Sequence, residues 1–293
     1  MTRVLKMGRE EGQALEEKLR EEGFEFGPLA YAFFQAKGQQ VVVSLYESGK
    51  LVIQGKGTRA FLAQFLPDLS GEPNPSNDSP EGEGAGIGSD ETGKGDTFGG
   101  MVVAGVAVPE SGISELREAG VADSKAMNDR RIRILAPWIE SNLATRVRVL
   151  SPSEYNRMHA ESGNNVNRLL TGLHSEIVES LVEETGLSRV VVDRFGSDLP
   201  VTRRLREKHP ELEILEIPRA EAHACVAAAS VLARSGFLDS MAELSQEWAV
   251  DFPLGSGSPV PPAMNAFLDL HGPEAMRKVA KLHFRNVRKR LEK

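Results

Sequence analysis

The sequence contains a single cysteine, Cys225, which excludes an intrachain disulfide and a zinc site built from several cysteines. It also lacks any apolar run approaching the roughly 18 residues that a membrane-spanning helix needs. The first residues, MTRVLKMGREEGQ, lack the apolar stretch of a secretory signal peptide. These absences predict a soluble, cytoplasmic protein with no membrane partner.

The 293-residue chain carries a formal net charge of −7, which by itself disfavours a protein that only holds nucleic-acid phosphates. The charge is unevenly distributed, because residues 277–293 contain eight Lys or Arg residues and one acid, Glu292. This basic tail fits either a solvated amphipathic helix or a segment that contacts phosphates, and the sequence leaves both interpretations open.

A change in composition predicts two domains. Residues 67–86 are rich in Pro, Gly, Ser and acids and have no aromatic or β-branched residue, so we predict a flexible linker there. Residues 1–66 indicate a small α+β domain, with a helix near residues 10–22, hairpin strands at 41–46 and 51–55, and a short closing helix. Residues 87–293 alternate strands, among them 101–108 and 189–193, with helices at 129–142, 166–185 and 222–244. This alternation predicts an α/β domain with a central mixed sheet flanked by helices.

Residues 88–95, GSDETGKG, nearly match the phosphate-binding loop GxxxxGK[ST]. The match fails because Gly95 stands where that loop has its hydroxyl, and because Asp90 and Glu91 would repel a phosphate placed directly against them. A divalent cation between acid and phosphate would make the same carboxylates useful. The segment therefore indicates metal-assisted phosphate chemistry and not nucleotide binding.

Further acids lie in positions that suit a shared site. Asp90 and Glu91 are adjacent on a strand, so they can line one pocket only if the strand bends or ends there, which the following glycines permit. Asp193 ends the apolar run RVVVD, and α/β sheets place their sites at strand ends. Glu221 precedes an Ala-rich helix, where it is a candidate ligand or an acid that complements the helix dipole. Four such carboxylates can hold two hard ions, which favours Mg²⁺ or Mn²⁺ over zinc.

Several segments, taken in order, resemble those of the type 2 ribonucleases H and in particular the ribonuclease HIII subfamily. They are SDETGKGDTFGG, the Asp-Ser-Lys at 123–125, NNVNRLLTGLH, VVVDRFG, AAASVLAR, FPLGSGSPV and AKLHFRNVRK. The N-terminal AFFQAKGQQVVVSLYESGKLVIQGKG resembles that subfamily's TATA-binding-protein-like substrate-binding domain. The resemblance implies a ribonuclease H-like catalytic domain at 87–293. It also implies hydrolysis of the RNA strand of RNA/DNA hybrid duplexes by two metal ions, leaving 5′-phosphate and 3′-hydroxyl ends.

The resemblance also implies roles for individual residues. Catalysis and metal binding fall to Asp90, Glu91, Asp193 and Glu221, with Asp239 as an alternative for the fourth position. Substrate contact falls to Gly93, Lys94, Gly95, Ser124 and Lys125. The backbone of the Gly-Lys-Gly loop would approach ribose 2′-hydroxyls, which distinguish RNA from DNA.

Tyrosine is absent where one branch of the family needs it. Ribonuclease HII relatives stack a tyrosine, placed after the Ala-Ala-Ser helix, at the RNA–DNA junction, whereas this chain has only Tyr31, Tyr46 and Tyr155. We therefore expect weak activity at single ribonucleotides in DNA. Independently of this, we expect a monomer. The alternatives are a ribonuclease HII-like junction nuclease, a non-catalytic hybrid-binding protein, and another metal-dependent phosphotransferase on the same fold.

Overall fold

The computed structural model describes residues 2–66, 84–121, 127–195 and 200–292, and the chain divides between residues 77 and 78 into two units. Most of the predicted linker, residues 67–83, lies outside the described residues, and the predicted domain boundaries remain predictions. Within the part of the chain that the structure describes, no helix combines the length and the apolar character needed to cross a lipid bilayer.

The N-terminal unit is a five-stranded antiparallel sheet with two helices packed on one face. Its elements are β1 (Thr2–Lys6), α1 (Arg9–Glu21), β2 (Glu25–Gly27), β3 (Ala32–Gly38), β4 (Val41–Tyr46), β5 (Lys50–Gly55) and α2 (Thr58–Phe65). The strand order is β1-β5-β4-β3-β2. Alternate residues of β4 face the helices, so Val41, Val43 and Leu45 are buried in one core with Leu19 and Phe61. The predicted hairpin is confirmed, with Gly49 at φ 78° in its turn.

The second unit is a five-stranded mixed sheet with helices on both faces. Its first half contains β6 (Gly86–Thr92), β7 (Met101–Val108), α3 (Glu110–Glu118), α4 (Asp129–Asn142), β8 (Ala144–Leu150), α5 (Pro152–Glu161) and α6 (Val166–Thr185). Its second half contains β9 (Arg189–Asp193), α7 (Pro200–Lys208), β10 (Glu213–Ile217), α8 (Ala224–Trp248), α9 (Val260–His271) and α10 (Arg285–Leu291). The order is β10-β9-β6-β7-β8, with β10, β9 and β6 parallel and the other pairs antiparallel. The predicted fold class is confirmed.

Strand β7 separates two hydrophobic cores, because alternate side chains point to opposite faces of the sheet. Val102, Ala104 and Val106 pack on the side of α4 and α8. Met101 and Val103 pack on the side of α5 and α6. Burial on both faces explains why β7 is apolar throughout and why its predicted span was correct.

Strand β8 was not predicted from the sequence. Its residues Thr145, Arg146, Val147, Arg148 and Val149 are exposed or only partly buried. A strand at the edge of a sheet with little burial lacks the apolar signal that identified β7 and β9. Its β-branched residues do alternate with arginines, which is a weaker strand pattern than a continuous apolar run, and its residues pair with β7 in register.

Candidate active site

Two acids leave neighbouring parallel strands at the same edge of the sheet. Strands β6 and β9 pair in register, with Ser89 opposite Val192, and the next residue on each strand is Asp90 and Asp193 respectively. The apolar run before Asp193 is buried, which fixes the strand against both cores, while Asp193 itself is partly exposed. The pairing therefore brings two carboxylates from distant parts of the chain to one edge.

Asp90 and Glu91 lie on opposite sides of β6, as their adjacency requires. Gly88 packs against the backbone of α8, so Asp90 is on that side of the strand. Glu91 is on the other side, where its Oε2 lies 3.2 Å from Nε2 of His174 on α6. The strand ends at Thr92, and Gly93 follows with φ 102°, a left-handed conformation that favours glycine. Both acids consequently line one cavity.

This cavity has a volume of about 540 Å³. Its lining residues are Asp90, Glu91, Thr92, Gly93, Lys94, Gly95, Asp96, Met127, Asp129, Asp193 and Arg234. Five of these residues are acidic and two are basic, so the site carries an excess of negative charge that suits a cationic ligand. The two cations are partly engaged: Lys94 Nζ lies 3.7 Å from Glu91 Oε1, and Arg234 Nη2 lies 3.2 Å from Asp129 Oδ1.

The carboxylates do not form a closed cage. Within the described ranges, no three Asp, Glu, His or Cys side chains converge closely enough to hold a metal ion as they stand. The donors nevertheless suit Mg²⁺ or Mn²⁺, because these ions prefer oxygen ligands and accept water in the remaining positions. Such ions are commonly bound by one or two carboxylates together with substrate oxygens.

Glu221 lies at the same edge of the sheet but not among the residues that line the cavity. It belongs to a short 3-10 helix, Ala220–Ala222, between β10 and α8. The backbone N–H of Ala220 points to Oδ1 of Asp193 at 3.5 Å, so the residue before Glu221 contacts the Asp193 carboxylate. Glu221 is partly buried. Its assignment as a fourth ligand remains a prediction.

Asp239, the alternative fourth acid, lies elsewhere on α8. Its Oδ1 accepts a hydrogen bond from Arg133 Nη1 at 2.8 Å, and both side chains are more than half exposed. Together they line a separate cavity of about 300 Å³. This arrangement is that of a surface ion pair. The other two predicted substrate-contact residues, Ser124 and Lys125, lie outside the described residues.

Sequence reasoning missed His174, which connects two residues of β6. Its Nδ1 lies 2.8 Å from Ser89 Oγ, and its Nε2 lies near Glu91. The side chain is 1% exposed, and its ring stacks on Phe195 with centroids 5.6 Å apart. A polar residue on the apolar face of α6, directly after Leu173, was the available signal. His174 does not line the cavity, and its hydrogen bond orients the side chain of Glu91, which does.

Comparisons with known proteins identify the family of this chain. The family model for ribonuclease HII matches residues 87–287, and a model described as a domain of unknown function (DUF3378) matches residues 2–78. Ribonuclease HIII of Protochlamydia amoebophila is 34% identical over 92% of this chain and 90% of its own length. Ribonuclease HIII of Chlamydia caviae is 34% identical over 92% of this chain and 91% of its own.

Solved structures give the same result. Bst-RNase HIII in complex with Mn²⁺ has 31% identity and a TM-score of 0.67, over 100% of this chain and 98% of that one. Aquifex aeolicus RNase H3 has 26% identity and a TM-score of 0.58, over 96% and 99%. The chain therefore belongs to the type 2 ribonuclease H family that the ribonuclease HII model defines, and within it to the ribonuclease HIII subfamily. The predicted enzyme class, a ribonuclease H, is confirmed.

Proposed function

We propose that this chain is an endonuclease that hydrolyses the RNA strand of RNA/DNA hybrids, leaving 5′-phosphate and 3′-hydroxyl ends. The observation that carries the proposal is the meeting of Asp90, Glu91 and Asp193 in one cavity beside the Gly-Lys-Gly loop. Phosphodiester hydrolysis in a carboxylate-rich site needs cations to screen the phosphate. An acidic cavity in a chain of this family fits that chemistry.

Asp90, Glu91 and Asp193 would hold Mg²⁺ or Mn²⁺, with Glu221 as the proposed fourth ligand. Their oxygen donors suit both ions, and Bst-RNase HIII binds Mn²⁺. When bound, such ions supply an activated water and stabilise the leaving oxygen. The chain's own contribution is to hold the carboxylates in place: Glu91 through His174, and Asp193 through the backbone N–H of Ala220.

The loop of Gly93, Lys94 and Gly95 is proposed to contact the ribose backbone of the RNA strand. All three residues line the cavity, and Gly95 is exposed, with open space where a side chain would begin. Backbone groups can approach a minor groove closely where no side chain intervenes. Contact with 2′-hydroxyls would select RNA over DNA at this position.

The N-terminal unit is proposed to bind the hybrid through the open face of its sheet. One face is covered by α1 and α2, whereas the opposite face presents polar and half-exposed side chains. These are Gln35, Lys37, Val42, Tyr46, Val52 and Gln54. A broad surface with amide donors and a lysine suits backbone contacts that do not depend on base sequence. Tethering such a unit to the catalytic unit raises the effective concentration of substrate.

Weak activity at a single ribonucleotide in DNA is part of the proposal, because no tyrosine follows Ser230. We also propose a monomer that acts in the cytosol, where its single cysteine stays reduced. Size-exclusion chromatography with light scattering checks the oligomeric state. A dimer at micromolar concentration would contradict it.

The first experiment uses three labelled duplexes: an all-RNA strand on DNA, DNA with one ribonucleotide, and plain DNA. Each is incubated with Mg²⁺, with Mn²⁺ and with chelator. Metal-dependent cleavage of the first duplex supports the proposal, and efficient cleavage of the second would favour a ribonuclease HII-like junction nuclease. Intact binding without cleavage under either metal would favour a non-catalytic hybrid-binding protein.

A matched pair of variants tests the site within the same assay. Asp193→Asn removes one proposed ligand and should reduce cleavage to background. Asp239→Asn makes the same change at the exposed partner of Arg133 and should leave cleavage near the parent level. If Asp239→Asn abolished cleavage and Asp193→Asn left it near the parent level, Asp239 would be the fourth acid and Asp193 would not belong to the site.

A further inference from the structure

Lys281 is a fully buried lysine near the candidate site that has no role in the function proposed above. None of its surface is exposed to solvent. Its Nζ donates hydrogen bonds to the carbonyl oxygens of Asp96 at 2.7 Å and Gly99 at 3.0 Å, and lies 3.5 Å from that of Phe98. Lysine usually keeps its ammonium group in water, so its complete burial against three carbonyls requires a physical reason.

The backbone around Lys281 holds the same segment from its other side. The N–H of Lys281 donates to the carbonyl of Thr97 at 3.0 Å. The N–H of Gly99 donates to the carbonyl of Val279 at 2.9 Å. Residues 96–99 are therefore held by two strand-like hydrogen bonds and by the ammonium group together.

This segment continues directly from the Gly-Lys-Gly loop. Asp96 lines the candidate active site, and its N–H donates to the carbonyl of Gly93 at 3.2 Å, which closes the turn that contains Lys94 and Gly95. The carbonyl of Asp96 is also the nearest acceptor of the Lys281 ammonium. A change at Lys281 therefore acts on the residue that closes the loop.

Packing alone does not account for a lysine here. Burial lowers the pKa of Lys281 from 10.5 to about 7, opposed by the nearby Asp96 carboxylate. The rings of Tyr155 and Phe237, at 5.5 Å and 6.0 Å from Nζ, offset part of the desolvation. An apolar side chain of similar length would fill the same space without that desolvation cost. The amino group therefore has a role other than filling space.

We propose that Lys281 is a positioning residue for hybrid recognition, whose hydrogen bonds set the backbone of residues 96–99 and through Asp96 the geometry of the Gly-Lys-Gly loop. The inference rests on the proposed function, because the loop that Lys281 orders is the one proposed to contact ribose. Lys281 itself contacts no substrate.

The test compares Lys281→Met with Lys208→Met in the full chain. The first keeps length and removes the ammonium group. The second removes an exposed lysine of the same unit, which pairs with Glu179 and does not line the candidate site. For each variant and the parent, KM and kcat are measured on an all-RNA/DNA hybrid. Affinity for that hybrid and for plain DNA duplex is measured by fluorescence anisotropy in chelator, and thermal unfolding by circular dichroism.

We expect Lys281→Met to raise KM by roughly tenfold or more, with a smaller change in kcat, because a displaced loop loses ground-state contacts with the substrate. Its preference for hybrid over DNA duplex should fall, since the loop is proposed to read 2′-hydroxyls. Lys208→Met should match the parent in both respects. A general loss of packing would lower stability without changing the preference between duplexes.

A folded Lys281→Met variant with parental KM and parental duplex preference would overturn the inference. If that variant does not fold, Lys281→Gln replaces it with the same expectations. Loss of folding in both variants would also overturn it, because Lys281 would then be a general determinant of stability. A parent enzyme that binds hybrid in chelator but cleaves nothing refutes the proposed catalysis. The duplex preference of Lys281→Met still decides the role of Lys281 in that case.

Discussion

Replacing His174 with phenylalanine should show how much the hydrogen bond from His174 to Glu91 contributes to activity, separately from its contribution to the stability of the fold. Phenylalanine retains a ring of similar size and the stacking on Phe195, while it removes the hydrogen bonds to Ser89 Oγ and Glu91 Oε2. Ser89 is fully buried, so its hydroxyl would lose this partner inside the protein. Glu91 would lose its hydrogen bond to His174 and would keep its ion pair with Lys94, so its side chain would be held less firmly beside the cavity.

The structure sets the expected magnitudes. A buried hydroxyl that loses its hydrogen bond costs about 1–3 kcal/mol. For a unit of this size each kcal/mol lowers Tm by roughly 2–4 °C, so His174→Phe should unfold about 2–12 °C earlier than the parent. Loss of the group that orients a metal-binding carboxylate typically lowers activity by about 10–100-fold. Hybrid cleavage by His174→Phe should fall within that range.

Two assays read the two effects separately. Thermal unfolding followed by circular dichroism gives the stability change, and cleavage of an all-RNA/DNA hybrid well below Tm at saturating metal gives kcat. His209→Phe is the control, because it makes the same substitution at a partly exposed histidine that pairs with Glu211. A His174→Phe variant with reduced Tm and parental kcat would refute the positioning of Glu91 by His174.

Three further results are expected. Gly88→Ala should lower the free energy of unfolding of the second unit, measured in urea, by about 1–3 kcal/mol or more, because the new methyl group would overlap the backbone of Cys225. Unchanged stability would contradict that close contact. The free energy of unfolding should decrease as the pH falls from 6.5 towards 4. Burial, followed by nearby positive charges, lowers the pKa of His283 to about 4, and burial also lowers the pKa of His159, so the unfolded chain binds protons at a higher pH than the folded chain. Urea unfolding at several pH values should show a weaker pH dependence for His283→Gln than for the parent. Deleting residues 1–66 should raise the Kd for the hybrid by a larger factor than it lowers kcat, because the N-terminal unit is proposed to bind the hybrid. Equal affinity with and without these residues would refute the binding role of that unit.

Much of the catalytic unit followed from local sequence. The run RVVVD is apolar and β-branched, so it could only be a buried strand that ends at Asp193, and the spans of β7, α4 and α6 were predicted at the residues observed. The glycine after Thr92 indicated that the strand could end there and let Asp90 and Glu91 share a pocket. These predictions succeeded because burial on both faces and helix periodicity are properties of short segments.

Other features depended on residues far apart in the chain. His174 is 83 residues from Glu91, and Lys281 is 185 residues from Asp96, so neither contact follows from local sequence. The resemblance to a family marked the segments that contain both residues, but not what their side chains contact. Strand β8 was not predicted because its valines alternate with arginines and do not form a continuous apolar run like that of β7.

The sequence by itself determined which carboxylates end which strands and that the chain belongs with enzymes that cut RNA in hybrids. Only the tertiary structure decided that β6 and β9 lie side by side in register, which places Asp90 next to Asp193. The tertiary structure also decided that His174 and Lys281 are buried in contact with Glu91 and Asp96, which line the candidate site. The physical reason is that local patterns report burial and periodicity, whereas pairing between strands and burial of polar groups are settled by the packing of the whole unit.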